Sequence, residues 1–404
     1  MLGFRAPHPP RAGRSSLRIG LVTDAFPPDL DGVAQVVLNY AQRLAERGHE
    51  PIVIAPARTG STDDYPFTVY RYPSIAGKSK LGYAIGNPFS PITIRDLRHF
   101  DMDLLHIHSP FTAAVLAQQI DPKHRIPHVL TYHTKYDIDI DRVIPFPPAQ
   151  KTSLRFLAHN LYQQDEIWAV TRSGGEAMAN VGYHGGFRVM ENGTDFAFGR
   201  APDGEVAELR ESLHLPEGEL IFLFVGRLLW YKNIRLILDG LKRVQEAGVA
   251  FRAVFVGAGA DELAIHRYAG SLGLEKRCIF PGPVFDREAL RTYYSMADLF
   301  LFPSTFDTSG IVVKEAAACA CPALLTKGAC AAEGTRDGVN AFWAEENARS
   351  FAEKLLSLCR NPERLKAAGA RAEQELYRSW DMAVDEAVVR YRELLKQWDQ
   401  KLHQ

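Results

Sequence analysis

The amino-acid sequence predicts an α/β protein made of two doubly wound, Rossmann-like domains that face each other across a cleft. Three observations support this fold class: short apolar runs alternate with amphipathic stretches of helical period, a polar segment near residue 200 interrupts the alternation, and the same alternation then starts again. The chain has 404 residues, of which 46% are hydrophobic and 24% charged. This length and composition are ordinary for a globular protein of two domains.

The first half opens with a strand, a loop and a helix. Residues 18–23 are an apolar strand, 26–32 a loop rich in Pro, Asp and Gly, and 33–47 a stretch of helical spacing that ends at Gly48. Further apolar runs predict four more strands, at 51–55, 104–108, 128–131 and 167–171. Strands that alternate with helices in this way predict a parallel sheet covered on both faces.

The second half repeats this organisation after a polar segment that carries several Pro and Gly residues. Its apolar runs predict a helix at 234–247 and strands at 220–225, 251–256, 278–280 and 299–303. The last stretch has a broad apolar face at helical spacing. We therefore divide the chain into a flexible basic tail (1–16), a first domain (17–198), a second domain (199–379) and a C-terminal helix (380–404).

The charge balance argues against nucleic acid as a partner. The sequence has 47 Lys and Arg against 48 Asp and Glu, and it contains no long basic stripe. The longest apolar runs, such as 220–225 and 299–302, fall far short of the roughly 20 residues of a transmembrane helix. We therefore expect no membrane-spanning segment.

The N-terminus and the cysteines favour the cytoplasm. Residues 1–16 hold three arginines among prolines and no apolar stretch, so we expect no secretory signal. All five cysteines lie in the second half, and their odd number and spacing fit neither a disulfide framework nor a zinc site. We interpret them as small buried residues in a reducing compartment.

The densest candidate motif is the segment 303–317, which reads Pro-Ser-Thr-Phe-Asp-Thr-Ser-Gly-Ile-Val-Val-Lys-Glu-Ala-Ala. A glycine loop that runs into an apolar helix directs backbone N–H groups toward an anion such as a diphosphate. Asp307 and Glu315, eight positions apart, could accept hydrogen bonds from the hydroxyls of a ribose or hexose. The alternative is a helix-capping Asp with a solvated Glu.

Two cations follow the first strand of the second domain. Arg227 lies in a Gly-Arg-Leu sequence, and Lys232 precedes Asn233. A guanidinium and an ammonium at the carboxyl end of a strand suit an anionic leaving group. The alternative is a solvated loop with ordinary surface cations.

Together these motifs resemble the nucleotide-sugar site of retaining glycosyltransferases with the GT-B fold, the group that contains sucrose synthase and bacterial phosphatidylinositol mannosyltransferases. The resemblance runs from about residue 18 to 380. It also includes the loop that ends at Gly32, Asp-Leu-Leu-His-Ile-His-Ser-Pro at 103–110, Thr-Tyr-His-Thr at 131–134, Asn-Gly-Thr-Asp at 192–195 and Gly-Ala-Gly at 257–259.

The resemblance implies a role for each matching residue. Arg227 and Lys232 would hold the donor diphosphate, Glu315 the ribose hydroxyls and Asp307 the sugar hydroxyls, while His133 would lie beside the transferred sugar. Gly32 would let its loop approach the diphosphate closely. The predicted catalytic residues are His133, Arg227, Lys232 and Asp307. The predicted donor-binding residues are Gly32, Arg227, Lys232, Asp307, Ser309, Gly310, Ile311, Val312 and Glu315. The alternative for His133 is a structural role, in which its hydrogen bonds are made within the loop at the end of a strand.

By the same resemblance the first domain would bind the acceptor, the second domain the nucleotide sugar, and the C-terminal helix would cross back to the first domain. Some positions depart from the family pattern. Most relatives have Glu where this chain has Asp307, and they tend to have Gly where it has Ala320, Ala341 and Asp31. No charged group is lost, so we interpret these differences as marks of a subgroup. The Phe-Asp-Thr-Ser-Gly form resembles bacterial enzymes that act on diacylglycerol.

The implied function is transfer of a hexose, with retention, from a nucleotide-diphosphate sugar to a hydroxyl acceptor. The pattern favours a UDP-sugar such as UDP-glucose and a membrane lipid such as diacylglycerol. A GDP-mannose-dependent mannosyltransferase, a polysaccharide-assembly transferase, a nucleotide-sugar epimerase and a non-catalytic sugar-binding protein stay open as alternatives. A dinucleotide oxidoreductase does not fit, because Glu262 stands where the third glycine of the fingerprint belongs.

The run Asp137-Ile-Asp-Ile-Asp141 resembles a metal-binding D-x-D triplet. It lies outside the matched motifs and two cations already serve the diphosphate, so we expect a solvated loop, no metal site and no cofactor.

An apolar tip at 144–148 precedes a segment with Lys151 and Arg155, and Lys78 and Lys80 lie in a Gly-rich stretch. This pattern is compatible with peripheral contact with an anionic membrane, at the inner face of the cell membrane. A loop that packs over the acceptor cleft is the alternative.

Overall fold

The computed structural model describes residues 14–28, 32–75 and 84–402. These residues form two compact units, one that extends to Asn192 and includes the segment from Trp380, and a second that spans Gly193–Ser379. The boundary between the units follows Asn192, whereas the sequence composition predicts it after residue 198. The segment 193–198 belongs to the second unit because it already packs there. The Thr194 N–H donates to the Arg378 carbonyl at 2.8 Å, and Phe196 belongs to the second core. Residues 1–13 of the predicted tail lie outside the described ranges.

The first unit is built from strands and helices that alternate along the chain. Its strands are β1 (Arg18–Val22), β2 (Glu50–Pro56), β3 (Thr68–Tyr72), β4 (Ser74–Ile75), β5 (Ile85–Gly86), β6 (Leu104–Ile107), β7 (His128–Tyr132), β8 (Glu166–Ala169) and β9 (Arg188–Val189). Its helices are α1 (Gly32–Glu46), α2 (Pro91–Leu97), α3 (Thr112–Ile120), α4 (Tyr136–Val143), α5 (Pro147–Tyr162) and α6 (Arg172–Glu176).

Seven of these strands form a parallel sheet in the order β3-β2-β1-β6-β7-β8-β9. Strand β1 lies inside the sheet, where Ile19 pairs with Pro51 on one side and with Leu104 on the other. Nearly every residue of β1, β2 and β6 is buried, which explains their continuous apolar sequences. The strand order reverses between β1 and β6, and ligands of doubly wound sheets bind at such a reversal.

The second unit repeats the architecture. Its strands are β10 (Leu220–Val225), β11 (Phe251–Val256), β12 (Cys278–Gly282), β13 (Leu299–Phe302), β14 (Ala323–Thr326) and β15 (Phe342–Ala344). Its helices are α7 (Asp203–Ser212), α8 (Ile234–Glu246), α9 (Glu262–Ser271), α10 (Arg287–Met296), α11 (Ile311–Ala318), α12 (Ala348–Cys359) and α13 (Pro362–Leu376). The strands form a parallel sheet in the order β12-β11-β10-β13-β14-β15.

The prediction of two Rossmann-like domains is therefore confirmed. In the second sheet the order reverses between β10 and β13, which pair through Phe222 and Leu299. The carboxyl ends of parallel strands meet at one edge of a sheet. The loops that carry Arg227 and Asp307, which follow β10 and β13, consequently lie side by side.

The last helix, α14 (Trp380–Leu402), packs on the first unit. The Tyr391 hydroxyl hydrogen-bonds to Nδ1 of His106 at 2.6 Å, and its ring stacks on Trp168 with centroids 5.4 Å apart. Arg390 of α14 forms an ion pair with Glu166 of β8. The C-terminal helix thus completes the core of the first unit.

Within the part of the chain that the structure describes, no helix combines the length and the apolar character needed to cross a bilayer.

Loss of the Arg390–Glu166 pair should destabilise the first unit. Both side chains are largely buried, with 12% and 15% of their surface exposed, so Arg390→Ala leaves the Glu166 carboxylate with the half-exposed Arg188, 3.5 Å away, in place of its buried partner. We expect the free energy of unfolding to fall by about 3 kcal/mol in equilibrium urea denaturation. Arg349→Ala is the control, because its pair with Glu353 is exposed and screened by solvent, so its loss should change the stability much less. Equal effects of the two substitutions would contradict this assignment.

Candidate functional site

The loop between β13 and α11 ends in a glycine that the backbone requires. Gly310 has φ +53° and ψ +36°, in the left-handed region, and a Cβ there would lie 3.1 Å from Cα of Ala331. This glycine is the N-cap residue of α11, and it has no side chain that could bond to the N–H groups of the first turn. Half-buried Ser309, Ile311 and Val312 flank this glycine. Their backbone presents the N-terminus of α11, with its partial positive charge, as an anion-binding surface.

A buried ion pair links the two loops at this edge of the sheet. Nζ of Lys232 donates to Oδ1 of Asp307 at 2.5 Å, and only 8% of the lysine side chain is exposed. The rings of Phe302 and Phe306 lie 5.9 and 5.7 Å from Nζ. The other carboxylate oxygen of Asp307, Oδ2, is buried and has no hydrogen-bond partner among the described residues. It is therefore placed to accept a hydrogen bond from a ligand.

Arg227 lies in the loop after β10 and is exposed. Its guanidinium makes no hydrogen bond or ion pair to any residue in the described ranges, so it is free to bind an anion. The neighbouring Gly-Ala-Gly motif explains how this loop is held. A Cβ on Gly257 would lie 2.0 Å from the carbonyl oxygen of Gly226, and one on Gly259 would lie 2.3 Å from that of Leu228. Both glycines therefore permit the loops after β10 and β11 to touch.

Glu315 lies on α11 and is held by two donors. Its Oε1 accepts from Nη2 of Arg287 at 2.6 Å, and its Oε2 accepts from the hydroxyl of Tyr294 at 2.9 Å. Arg287 also forms a bidentate pair with Asp195, at 2.8 and 2.6 Å. Burial acts to lower the pKa of the Arg287 guanidinium, but Glu315 and Asp195 outweigh it and raise this pKa. Glu315 is thus a buried, oriented acceptor, not the solvated side chain of the alternative interpretation.

Arg287 and Tyr294 belong to no motif of the sequence. Both lie on α10, and nothing in their local sequence sets them apart. Asp195 was part of the Asn-Gly-Thr-Asp motif, but no role was predicted for it.

The first unit places three histidines together behind the ends of β6 and β7. Nε2 of His133 lies 3.0 Å from Nδ1 of His108, and Nε2 of His106 lies 2.7 Å from Oγ1 of Thr131. Burial lowers the pKa of all three imidazoles, that of His133 to about 3. His133 is consequently neutral near pH 7, which suits a hydrogen-bonding role better than that of an acid.

Gly32 is the first residue of α1 and is exposed. A Cβ at this position would meet nothing within 4 Å, so no protein contact requires a glycine here. Its close approach to a diphosphate stays a prediction. Gly32 and His133 belong to the first unit, whereas the other predicted site residues belong to the second.

The aspartate run at 137–141 is helical, and the prediction of a loop was wrong. It lies in α4, where Tyr136 and Ile140, four positions apart, are buried on one face. Oδ2 of Asp137 accepts from the side-chain amide of Asn180 at 3.1 Å. Among the described residues no group of three or more His, Cys, Asp or Glu side chains is arranged to hold a metal ion. Whether catalysis depends on a metal stays a prediction.

The apolar tip ahead of α5 is partly solvent-facing. Phe146 is 62% exposed and Phe156 45% exposed, while Leu157 and Leu161 are buried in the core of the first unit. Lys151 and Arg155 are exposed on the same helix. Lys78 and Lys80, the other basic residues of the membrane prediction, lie outside the described ranges.

Two family models match the chain. The model described as "Glycosyltransferase Family 4" matches residues 30–198, and the one described as "Glycosyl transferases group 1" matches residues 205–375. An α-monoglucosyldiacylglycerol synthase of Acholeplasma laidlawii is 26% identical, with 88% of this chain and 92% of that protein covered. A GDP-mannose-dependent α-mannosyltransferase of Corynebacterium glutamicum is 25% identical, with 87% of this chain and 84% of that protein covered.

Solved structures show the same fold at low identity. Anabaena Alr3699/HepE in complex with UDP and glucose superposes with a TM-score of 0.72 at 18% identity, covering 92% of this chain and 98% of that one. Sucrose-phosphate synthase of Thermosynechococcus elongatus gives a TM-score of 0.76 at 18% identity, covering 94% and 100%. Both likenesses support the two-domain fold.

The buried histidines predict a pH dependence of stability. Their folded-state pKa values lie below the ordinary value of about 6.5, so only the unfolded chain takes up protons as the pH falls below that value, and stability is lost. Each histidine contributes up to about 1.4 kcal/mol per pH unit to the slope. Between pH 6.5 and 5 the three histidines together make the free energy of unfolding fall with decreasing pH. His133→Asn should reduce this contribution by about a third, as measured by urea denaturation at several pH values. An unchanged slope would show that His133 is protonated in the folded protein.

Proposed function

We propose a donor, an acceptor and a stereochemical course for this chain, which belongs to the glycosyltransferases described by the Family 4 and group 1 models and is a hexosyltransferase with the GT-B fold. It moves glucose from UDP-glucose to the free hydroxyl of diacylglycerol with retention of configuration. The observation that carries the proposal is the Lys232–Asp307 pair, whose Oδ2 has no partner among the described residues, beside the N-terminus of α11.

The diphosphate is the group that these residues suit best. Lys232 is buried with a single carboxylate as its ionic partner, and Arg227 offers a planar guanidinium with no protein partner in the described ranges. Together with the first N–H groups of α11 they supply preorganised donors for the negative charge that develops on the departing phosphate. Loss of one such donor typically costs about 10²–10³ in rate.

The two carboxylates would bind hydroxyl groups. Oδ2 of Asp307 would accept from a hydroxyl of the transferred sugar, and Glu315 from the ribose of the nucleotide. His133, neutral at pH 7, would contribute a hydrogen bond beside the sugar. Asp307 has one methylene fewer than the glutamate of most relatives, so its reach toward the sugar is shorter.

Retention follows from substitution on one face of the sugar. The bond between the anomeric carbon and the phosphate oxygen breaks while the bond to the acceptor oxygen forms on the same face. The acceptor hydroxyl gives its proton to the departing phosphate. No side chain is required as a nucleophile, and none of the predicted site residues is assigned that role.

The choice of glucose as the transferred sugar and of a lipid as the acceptor is based on the names of similar proteins. Both the Acholeplasma laidlawii protein and a 24% identical Streptococcus pneumoniae protein are named α-monoglucosyldiacylglycerol synthase. Relatives in Corynebacterium and Mycobacterium are named GDP-mannose-dependent mannosyltransferases. GDP-mannose is consequently the second donor to test.

A membrane-borne acceptor calls for peripheral contact. The exposed rings of Phe146 and Phe156 and the cations of Lys151 and Arg155 lie on or next to α5, and an anionic lipid surface would attract both groups. We place this contact at the inner face of the cell membrane.

A donor panel tests the proposed reaction. Purified protein is incubated with UDP-, GDP- and ADP-sugars and with liposomes that contain diacylglycerol or with free sugars, and the products are identified by mass spectrometry. We expect glucosyl-diacylglycerol from UDP-glucose, with the α configuration by NMR. Arg227→Ala should lower the rate by about 10²–10³ without changing the unfolding transition. Near-normal turnover by this variant, or an isomerised donor without any acceptor, would contradict the proposal.

Full activity should persist in excess chelator. Lys232 and Arg227 already carry the positive charge that a divalent ion would bring to the diphosphate, so EDTA treatment should leave the rate of product formation unchanged. Loss of activity on chelation and its return with Mg²⁺ or Mn²⁺ would overturn metal independence.

Liposome flotation tests the membrane contact. We expect the protein to float with vesicles that contain anionic lipid and to stay behind with neutral ones, and Phe146→Ser to reduce the bound fraction several-fold. Phe285→Ser is the matched control, since Phe285 is as exposed but lies in the second unit. An equal effect of the two substitutions would refute a contact through α5.

A further inference from the structure

A cluster of four side chains surrounds the end of Glu315. Arg287 lies between Asp195 and Glu315 and donates to both carboxylates, while Tyr294 donates to the second oxygen of Glu315. The guanidinium carbon of Arg287 lies 4.6 Å from the centroid of the Phe196 ring. Two carboxylates share one cation, so the cluster has a net charge of about −1 in its ionised form.

We propose that Arg287 is a positioning residue that presents Glu315 to two neighbouring hydroxyls of the donor's ribose. This rests on the proposed function, in which Glu315 binds the nucleotide ribose. A carboxylate offers about four lone-pair positions, and among the described residues two donors occupy two of those on Glu315, one from Arg287 and one from Tyr294. One position on each oxygen is left, which matches a pair of vicinal hydroxyls.

The charge of Arg287 is as important as its hydrogen bonds. Only 6% of the Glu315 side chain is exposed, and the charge of a carboxylate so buried needs a cation beside it. Arg287 supplies that cation, with Nη2 2.6 Å from Oε1 of Glu315. Arg287 therefore both compensates the charge of the carboxylate and fixes the direction in which it faces the hydroxyls.

The planar shape of the guanidinium explains why a lysine at position 287 could not hold Glu315 in the same way. Nε and Nη2 of Arg287 bind both oxygens of Asp195, and Nη2 also reaches Oε1 of Glu315. The ring of Phe196 supports the plane of this fork. An ammonium is a point charge on a flexible stem, so it cannot hold both carboxylates in the same fixed arrangement.

The test compares nucleotides that differ by one hydroxyl. Binding of UDP, GDP and ADP, each alongside its 2′-deoxy form, is measured by calorimetry for the wild-type chain and for Arg287→Lys. We expect the wild-type chain to bind the preferred nucleotide at least about tenfold more tightly than its 2′-deoxy form, since hydrogen bonds to charged groups have this strength. Arg287→Lys should weaken binding of the ribonucleotide about tenfold. It should weaken binding of the 2′-deoxy form less, because only one hydroxyl is left there to contact Glu315, and so remove much of the preference.

Two further variants separate positioning from a structural role. Tyr294→Phe removes the other donor to Glu315 and should reduce the same preference. Arg291→Lys makes the same exchange one turn along α10, where the arginine bonds to Glu288 and to the carbonyls of Gly199 and Arg200, and it should leave the preference intact.

Equal weakening of both nucleotides by Arg287→Lys would assign Arg287 a structural role and overturn the inference. So would an unchanged preference, or a wild-type chain that binds none of the three nucleotides. If the preference exists and Arg287→Lys removes it, but no glucosyl-diacylglycerol forms, the proposed acceptor fails while the positioning role of Arg287 stands.

Discussion

A buried ammonium needs an anion beside it, and in this protein Asp307 supplies one to Lys232. The pair joins the loops that follow β10 and β13, the two strands between which the order of the second sheet reverses. The rings of Phe302 and Phe306 surround the ammonium, while Arg227 stays exposed nearby in sequence. A site that already holds a cation, an oriented carboxylate and a helix N-terminus needs little rearrangement to receive a diphosphate and a sugar.

Glu315, the second carboxylate, is also buried beside a cation, but here the cation is an arginine. Asp307 is balanced by a lysine and keeps one oxygen without a protein partner in the described ranges, whereas Glu315 is balanced by Arg287 and bonded on both oxygens. In each case a cation within 2.6 Å compensates the charge of the carboxylate and fixes its orientation. In the first unit, burial instead lowers the pKa values of His106, His108 and His133.

The sequence predicts those strands and helices whose pattern of apolar residues is continuous along the chain. The apolar runs of β10 and β11 were placed at their observed bounds, because both strands are buried on two faces. Strands β14 and β15 are short and were not predicted, and α4 was taken for a loop because its aspartates hid the spacing of Tyr136 and Ile140. The contacts of Arg287 reach residues 92 and 28 positions away, so no local pattern could reveal them. The motifs of the sequence identify candidate site residues such as Lys232, Asp307 and Glu315. Which side chains bond to them is known only from the structure.

The central claim is that the Lys232–Asp307 pair and the N-terminus of α11 form the donor site of a glycosyltransferase. A crystal structure of the chain with the nucleotide sugar selected by the donor panel tests this most directly. The account predicts that the diphosphate contacts Lys232 and the backbone of Gly310 to Val312, that Oδ2 of Asp307 accepts from a sugar hydroxyl, and that both ribose hydroxyls lie against Glu315. A nucleotide bound elsewhere, with the Lys232–Asp307 pair untouched, would contradict it.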